Sequence, residues 1–207
     1  MFQAQRLPNI PPKPACIFYI RNLALFSDDH GNTWHSSQPV QPGTGEGTLI
    51  ERADGSILYN SRAYFGDRKR YLAVSTDGGA SYGEFTTDPF LLEEKRIGCN
   101  ASMLRTERSM LPEHQRAWLP KQATANTLFS NPRAEERRNM TLCVSFDDGK
   151  SWAHTKGVRE GPSGYSSLAY TAFDGHFYLF YELGEQKSTD QGLTIAEFDL
   201  EWLLADS

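Results

Sequence analysis

Three copies of one short pattern limit what this chain can fold into. Ser27-Asp28-Asp29-His30-Gly31-Asn32-Thr33-Trp34 returns as Ser145-Phe146-Asp147-Asp148-Gly149-Lys150-Ser151-Trp152 and, degraded, as Ser75-Thr76-Asp77-Gly78-Gly79-Ala80-Ser81-Tyr82. Each copy runs Ser, any residue, Asp, any residue, Gly, two more, then an aromatic. Each also follows an apolar run: Leu23 to Phe26, Tyr71 to Val74, Leu142 to Val144. That is a strand entering a tight turn. The Asp accepts hydrogen bonds from backbone N–H groups of its own turn, and the Gly supplies positive φ. The closing aromatic is expected to restart a strand and pack the turn against the sheet. A strand–turn–strand unit repeated along the chain points to a repeat architecture.

The strands expected around these turns fall into sets of about four. Cys16 to Ile20 and Leu23 to Phe26 lead into the first turn. Thr48 to Arg52 and Ser56 to Arg62 form a hairpin about Asp54-Gly55, followed by Tyr71 to Val74 and an outer strand, Glu84 to Leu92, interrupted by Pro89. A second set is Gly98 to Arg105, Asn126 to Asn131, Thr141 to Val144 and Ala153 to Val158. The last is Gly164 to Phe173, an Asp174-Gly175 turn, His176 to Glu182, and Leu193 to Leu203. Residues 1–16 read as an irregular lead-in, and the polar stretch 106–125 as an inserted loop: a lid or substrate loop, or a solvated insertion. Four-strand sets with a turn at one fixed place describe an all-β propeller. Residues 1–207 would form a single partial propeller domain of about three and a half blades. Its open edge calls for a partner, either a missing N-terminal half or another copy in a homo-oligomer.

Composition narrows the function classes. A formal net charge of −5 without a basic run leaves no nucleic-acid footprint, so an anionic substrate would have to be gripped by local arginines. Cys16, Cys99 and Cys143 are widely spaced and the five histidines are scattered, so neither a disulfide framework, a metal site nor a cofactor is expected. No apolar run approaches the roughly 18 residues of a membrane span. The proline-rich start lacks the order of a signal peptide. Asn100-Ala101-Ser102 and Asn139-Met140-Thr141 match the glycosylation sequon, a pattern also common by chance; it points to a secretory-pathway origin, lysosomal or extracellular.

Propeller geometry selects candidate site residues. In a blade the innermost strand runs away from one face and the second returns to it. The start of strand one and the end of strand two therefore share that face near the axis. Glu46 precedes a first strand and Arg62 ends the second; Tyr165 opens the first strand of the last set; Arg133, Arg137 and Arg138 follow a second strand. A carboxylate, a phenol and guanidiniums would converge. Glu51 and Glu182 read as structural, Glu182 with the option of lining the face, and Cys99 reads as a buried small apolar residue.

The ordered set resembles the exo-α-sialidases, most closely the lysosomal-type and bacterial enzymes. It consists of the Asp turns, Glu46 with Asn60-Ser61-Arg62 sixteen residues later, Ser130-Asn131-Pro132 ahead of the arginines and Asn139-Met140-Thr141-Leu142, and Gly161-Pro162-Ser163-Gly164-Tyr165-Ser166-Ser167-Leu168. The likeness covers roughly Leu23 to Leu203. It implies a six-bladed sialidase-type propeller, of which this chain holds the C-terminal portion. It also implies an enzyme that removes terminal sialic acid from glycoproteins, glycolipids or oligosaccharides with retention. By the family pattern Tyr165 is the nucleophile, Glu46 its base, and Arg62 and Arg137 members of the arginine triad that holds the substrate carboxylate; Arg133 and Arg138 are alternatives to Arg137. The family's first triad arginine and its acid/base Asp lie ahead of the matched stretch, and Arg6 and Arg21 lack their context. The alternative is an inactive sialidase-derived fragment that binds sialic acid or serves as an interaction module.

Overall fold

The computed structural model describes residues 21–64 and 68–205, so the expected lead-in and the strand Cys16 to Ile20 lie outside the described residues. Short apolar runs separated by tight turns produce the strands β1 (Leu25–Phe26), β2 (His35–Ser36), β3 (Thr44–Glu51), β4 (Ile57–Ala63), β5 (Lys69–Ser75), β6 (Thr86–Leu92), β7 (Ser102–Glu107), β8 (Ala125–Pro132), β9 (Arg138–Ser145), β10 (His154–Thr171), β11 (His176–Leu183) and β12 (Gly192–Phe198), with helices α1 (Glu113–Arg116) and α2 (Leu200–Leu204). Strands β3 to β6 form one antiparallel sheet in chain order, and β7 to β12 another.

The long sheet is two sheets joined by one strand. His154 to Pro162 of β10 pairs with β9, and Ser163 to Thr171 pairs with β11. The sequence reading separates these halves between Val158 and Gly164. Instead, irregularities in the β9 pairing absorb the proline, which stays opposite Arg138. The last expected strand, Leu193 to Leu203, is shorter in the structure. It ends at Phe198, and Asp199 caps α2 by accepting from the Trp202 N–H at 2.8 Å.

Inner strands lie side by side. Thr48 Oγ1 of β3 accepts from the Met103 N–H of β7 at 3.1 Å, and Ser102 Oγ accepts from the Leu168 N–H of β10 at 3.0 Å. Between the sheets the side chains alternate. On β8, Leu128 enters a core with Met140, Leu142, Phe177 and Leu179, whereas its neighbour Phe129 enters a second core with Ile50, Leu58, Leu91 and Met103. The middle sheet is thus buried on both faces, and β8 is buried at every residue. This all-β arrangement of radially packed sheets is that of a partial β-propeller.

The three Asp turns share one hydrogen-bond scheme. Gly31, Gly79 and Gly149 donate their N–H to Ser27, Ser75 and Ser145 Oγ at 2.7, 2.9 and 2.8 Å. Asp29, Asp77 and Asp147 Oδ1 accept from the N–H of Thr33, Ser81 and Ser151 at 2.8, 2.9 and 2.8 Å. The glycines sit at φ 88°, 93° and 76°, where a side chain would be strained. Ser188-Thr189-Asp190-Gln191-Gly192 has the same spacing but folds otherwise: Asp190 accepts from the upstream N–H groups of Glu185, Gln186 and Lys187. The closing aromatics differ too. Trp152 packs on Phe129 and donates to Asp88 Oδ2 at 2.9 Å, and Tyr82 packs on Tyr59. Trp34, expected to pack likewise, is 65% exposed and folds back on Gly31 O. Among the described residues, the two-residue strands β1 and β2 offer it no broad sheet face.

Burial pushes the Asp147 carboxyl up, but hydrogen bonds from Ser151 and Ser145 outweigh it and hold the group below its ordinary value. A lowered carboxylate stabilises the fold above its unfolded pKa and loses that contribution as pH falls through the folded value. Asp147→Ala should therefore cost about 2 kcal/mol at neutral pH, a fall in Tm of roughly 4–8 °C that shrinks in acid, measurable by calorimetry.

The stretch 106–125 mixes exposed residues with a few that reach the core. Leu111 and Leu119 join the core beside Phe177, and Gln115 donates to Gly175 O at 2.7 Å and accepts from the Leu200 N–H. Gly175 lies in the turn after β10, about 20 Å along the strand from Tyr165, so this segment plugs the face remote from that residue. On the turn side Arg105 joins the sheets: its Nε donates to Asp148 Oδ1 at 2.6 Å, while Asp148 O accepts from Arg52 Nε at 3.0 Å.

Candidate active site

Glu46 enters the site from the start of β3, where the pairing with β4 shifts between Thr44 and Gly47. Arg62 comes from the end of β4 and is only 4% exposed. Tyr165 opens the half of β10 that pairs with β11. These distant residues meet. The Tyr165 hydroxyl donates to Glu46 Oε1, Arg62 Nη1 donates to Glu46 Oε2, and Arg62 Nη1 also lies 3.1 Å from the Tyr165 oxygen. One carboxylate therefore receives a phenol proton on one oxygen and a guanidinium on the other.

Arg137, just before β9, stands with its guanidinium 5.3 Å from the Tyr165 ring centre and donates to Gly98 O at 3.4 Å. Its neighbours point elsewhere. Arg133 stacks on Phe90 and donates to Phe90 O, and Arg138 is exposed at the β9 start. Of the three arginines, Arg137 is the one placed against Tyr165.

The electrostatics keep the phenol protonated. Burial, then the hydrogen bond to Glu46 and its negative charge, raise the Tyr165 pKa above the usual 10.0, with Arg62 opposing. Burial works to lower the Arg62 pKa, but Glu46 outweighs it and the guanidinium is held more firmly charged. The phenol is thus neutral at ordinary pH, and its proton faces Glu46 Oε1. Replacing Glu46 by Gln removes an anion and keeps the shape. Glu46→Gln should lower the Tyr165 ionisation point, read as the ultraviolet difference titration lost in a Tyr165→Phe background. An unchanged titration would mean that the hydroxyl does not face Glu46 in solution.

The neighbours include Glu182, which the sequence leaves between a structural role and lining the face, and others that it does not single out. Glu182 Oε2 accepts from the Tyr165 N–H at 2.9 Å, so it anchors the backbone beneath the phenol. A Cβ on Gly164 would fall 2.0 Å from that oxygen, which is why the position before Tyr165 is bare. Tyr64 lies under the Arg62 guanidinium at 4.9 Å. The Ile97 carbonyl accepts from Arg62 Nε at 2.7 Å. None of these stands in a recognisable spacing with Tyr165; the strand order that joins them is the only signal. Two clefts flank the cluster. One of about 380 Å³ lies between Glu94–Ile97 and Glu135–Arg137, and the other, about 480 Å³, runs along Thr48, Asn100, Tyr165 and Glu182. Among the described residues, Cys99 and Cys143 are unpaired and buried, with burial pushing both thiols up to about 12. No helix among those residues is long and apolar enough to cross a membrane.

Comparison with known proteins bears on the family of the chain. The BNR repeat-like domain family matches residues 17–179. A sialidase of Micromonospora viridifaciens is 36% identical over 182 residues, covering 87% of this chain and 26% of the bacterial protein. Sialidase-3 of Mus musculus is 27% identical over 208 residues, covering 86% of this chain and 49% of the mouse protein. Among solved structures, the Hadza microbial sialidase Hz136 superposes with a TM-score of 0.67 at 25% identity, over 86% of this chain and 32% of that one. This chain spans half or less of the length of each. With the domain match extending over most of its residues, the chain belongs to the exo-α-sialidase family of BNR repeat-like domains.

Proposed function

We propose that this chain carries the nucleophilic side of an exo-α-sialidase site acting on terminal sialic acid of glycoconjugates, with retention of configuration. Tyr165 is the nucleophile, Glu46 its base, and Arg62 and Arg137 grip the substrate carboxylate. The observation that supports this best is the hydrogen bond from the Tyr165 hydroxyl to Glu46, with Arg62 bridging both. A carboxylate nucleophile would be repelled by the acid group on the reacting carbon, whereas a phenol is neutral until its proton leaves. As the Tyr165 oxygen bonds to the anomeric carbon, its proton passes to Glu46 and the glycosidic bond breaks with its electron pair on the aglycone oxygen. Water then displaces the tyrosine, Glu46 returns the proton to the phenol, and the water's proton goes to the released aglycone. Guanidiniums suit the adjoining carboxylate because their planar donors pair with it two at a time.

In the same reading the chain is one partial domain: about three and a half blades of a six-bladed propeller, with Asp boxes at Ser27, Ser75 and Ser145. Phe180, Leu193 and Ile195 expose an apolar stretch of the last sheet, which an N-terminal half or a second copy would cover.

An aryl α-sialoside tests the proposal directly. An acidic phenol leaves without being protonated, so the nucleophilic side can release it even where no general acid is present. Fluorophore release by the purified chain is expected, and its absence would exclude independent catalysis. A second reading is a sialic-acid-binding module, in which the two guanidiniums beside Tyr165 hold the sugar acid without turnover. Under that reading the sugar binds and no fluorophore appears.

A further inference from the structure

Behind the site lies an ion pair that the proposed chemistry does not use. Arg70 and Glu93 meet at 2.5 Å with side chains 0% and 1% exposed. Burying two charges costs several kcal/mol per ion before pairing, so a stabilising role alone is a weak explanation for such a pair. Its contacts give a better one. Glu93 Oε2 accepts from the Ala63 N–H at 3.0 Å, and Oε1 from the Cys99 N–H at 3.4 Å. Arg70 donates to Cys99 O at 2.9 Å and to Asn60 Oδ1 at 2.6 Å. Ala63 directly follows Arg62. Cys99 follows Ile97 and Gly98, whose carbonyls hold Arg62 and Arg137 respectively. Gly98 itself sits at φ +67°, where an added Cβ would lie 2.7 Å from Glu93 Oε2 and 3.0 Å from Arg62 Cγ.

We propose that Glu93, oriented by Arg70, is the positioning residue for the two arginines assigned to the substrate carboxylate. This rests on the functional reading above and deepens it. The Glu93 carboxylate ties the end of β4 to the 97–99 segment, and that segment presents one carbonyl to each guanidinium. Arg62 and Arg137 come from separate sheets, so only a shared support can fix the distance between their forks. A carboxylate ligand would then be recognised by geometry preset in the free protein, without ordering two long side chains on binding.

The test compares binding of the methyl α-glycoside of sialic acid with that of its C1 methyl ester, by calorimetry on the full chain. Glu93→Asp keeps the charge but is shorter by one bond, about 1.5 Å, and cannot reach both N–H groups. Gly98→Ala keeps both charges and displaces the same segment from the other side, its Cβ pressing on Glu93 Oε2 and Arg62 Cγ. Wild type should prefer the free acid, and either variant should reduce that preference about tenfold, the loss of one charge-assisted hydrogen bond. Arg105→Ala, which breaks the remote link between the sheets, should lower the Tm and leave the preference unchanged. If both site-side variants keep the wild-type preference, or if Arg105→Ala loses it equally, the positioning role is overturned while the functional reading stands. A wild-type chain with no preference for the free acid overturns the functional reading and this inference with it.

Discussion

Tyr165→Phe is expected to reduce release of an aryl leaving group from an α-sialoside on the order of 10³-fold or more, with little change in affinity for the sugar. The substitution deletes one oxygen. It leaves the ring under Arg137 and the backbone N–H on Glu182, so the arginines keep their places. The loss should fall on kcat, because the phenol oxygen makes its bond only as the glycosidic bond breaks. Burst kinetics give a second check: trapping with a slow substrate should label Tyr165 in the wild type and leave the variant unlabelled. Turnover that survives the substitution would reassign the nucleophile. If neither protein turns over while both bind the sugar equally, the binding-module reading takes over.

The largest expected stability effect lies at Arg70. Arg70→Met keeps most of the side-chain volume and strands the Glu93 carboxylate in an interior that excludes water. Breaking a buried pair from one side costs about 3–5 kcal/mol, or roughly 6–20 °C in Tm for a chain of this length. The cost should depend on pH in a definite direction. Burial, opposed chiefly by Arg70, already raises the Glu93 pKa above its ordinary value. Without the guanidinium it rises further. A group with a raised folded pKa contributes stability at low pH that is lost as pH climbs through that value. The deficit of the variant should therefore be small near pH 4 and grow toward neutrality, visible as diverging melting curves. A deficit independent of pH would mean that Glu93 finds another cation.

The residues now seen together at the site were accessible to sequence reasoning to the extent that strand order carried them. Glu46, Arg62 and Tyr165 sit where inner strands begin or second strands end, and that rule needs only the count of strands. Arg137 could be told from Arg133 and Arg138 only by its stacking on Tyr165, a matter of side-chain direction that spacing does not encode. Arg70 and Glu93 were invisible for a different reason. In the sequence each is an ordinary charge on a half-polar strand or loop, and only three-dimensional packing turns them into a water-free pair. Leu111 and Leu119 were too sparse in a polar stretch to announce that residues 106–125 close the core. The stretch between Val158 and Gly164 read as a gap between two strands, yet one strand runs through it with an irregular pairing to β9 that accommodates Pro162.

That last feature makes residue count, more than side-chain identity, the tightest restriction on the segment between Gly157 and Gly164. Neighbouring positions of a pleated strand alternate faces. One codon gained or lost there would turn the phenol outward, or else throw the ladder to β9 or β11 out of step along its whole length. Diversification by insertion is thus open to peripheral turns such as the one at Phe173, which is fully exposed. It is closed to the strand that carries Tyr165.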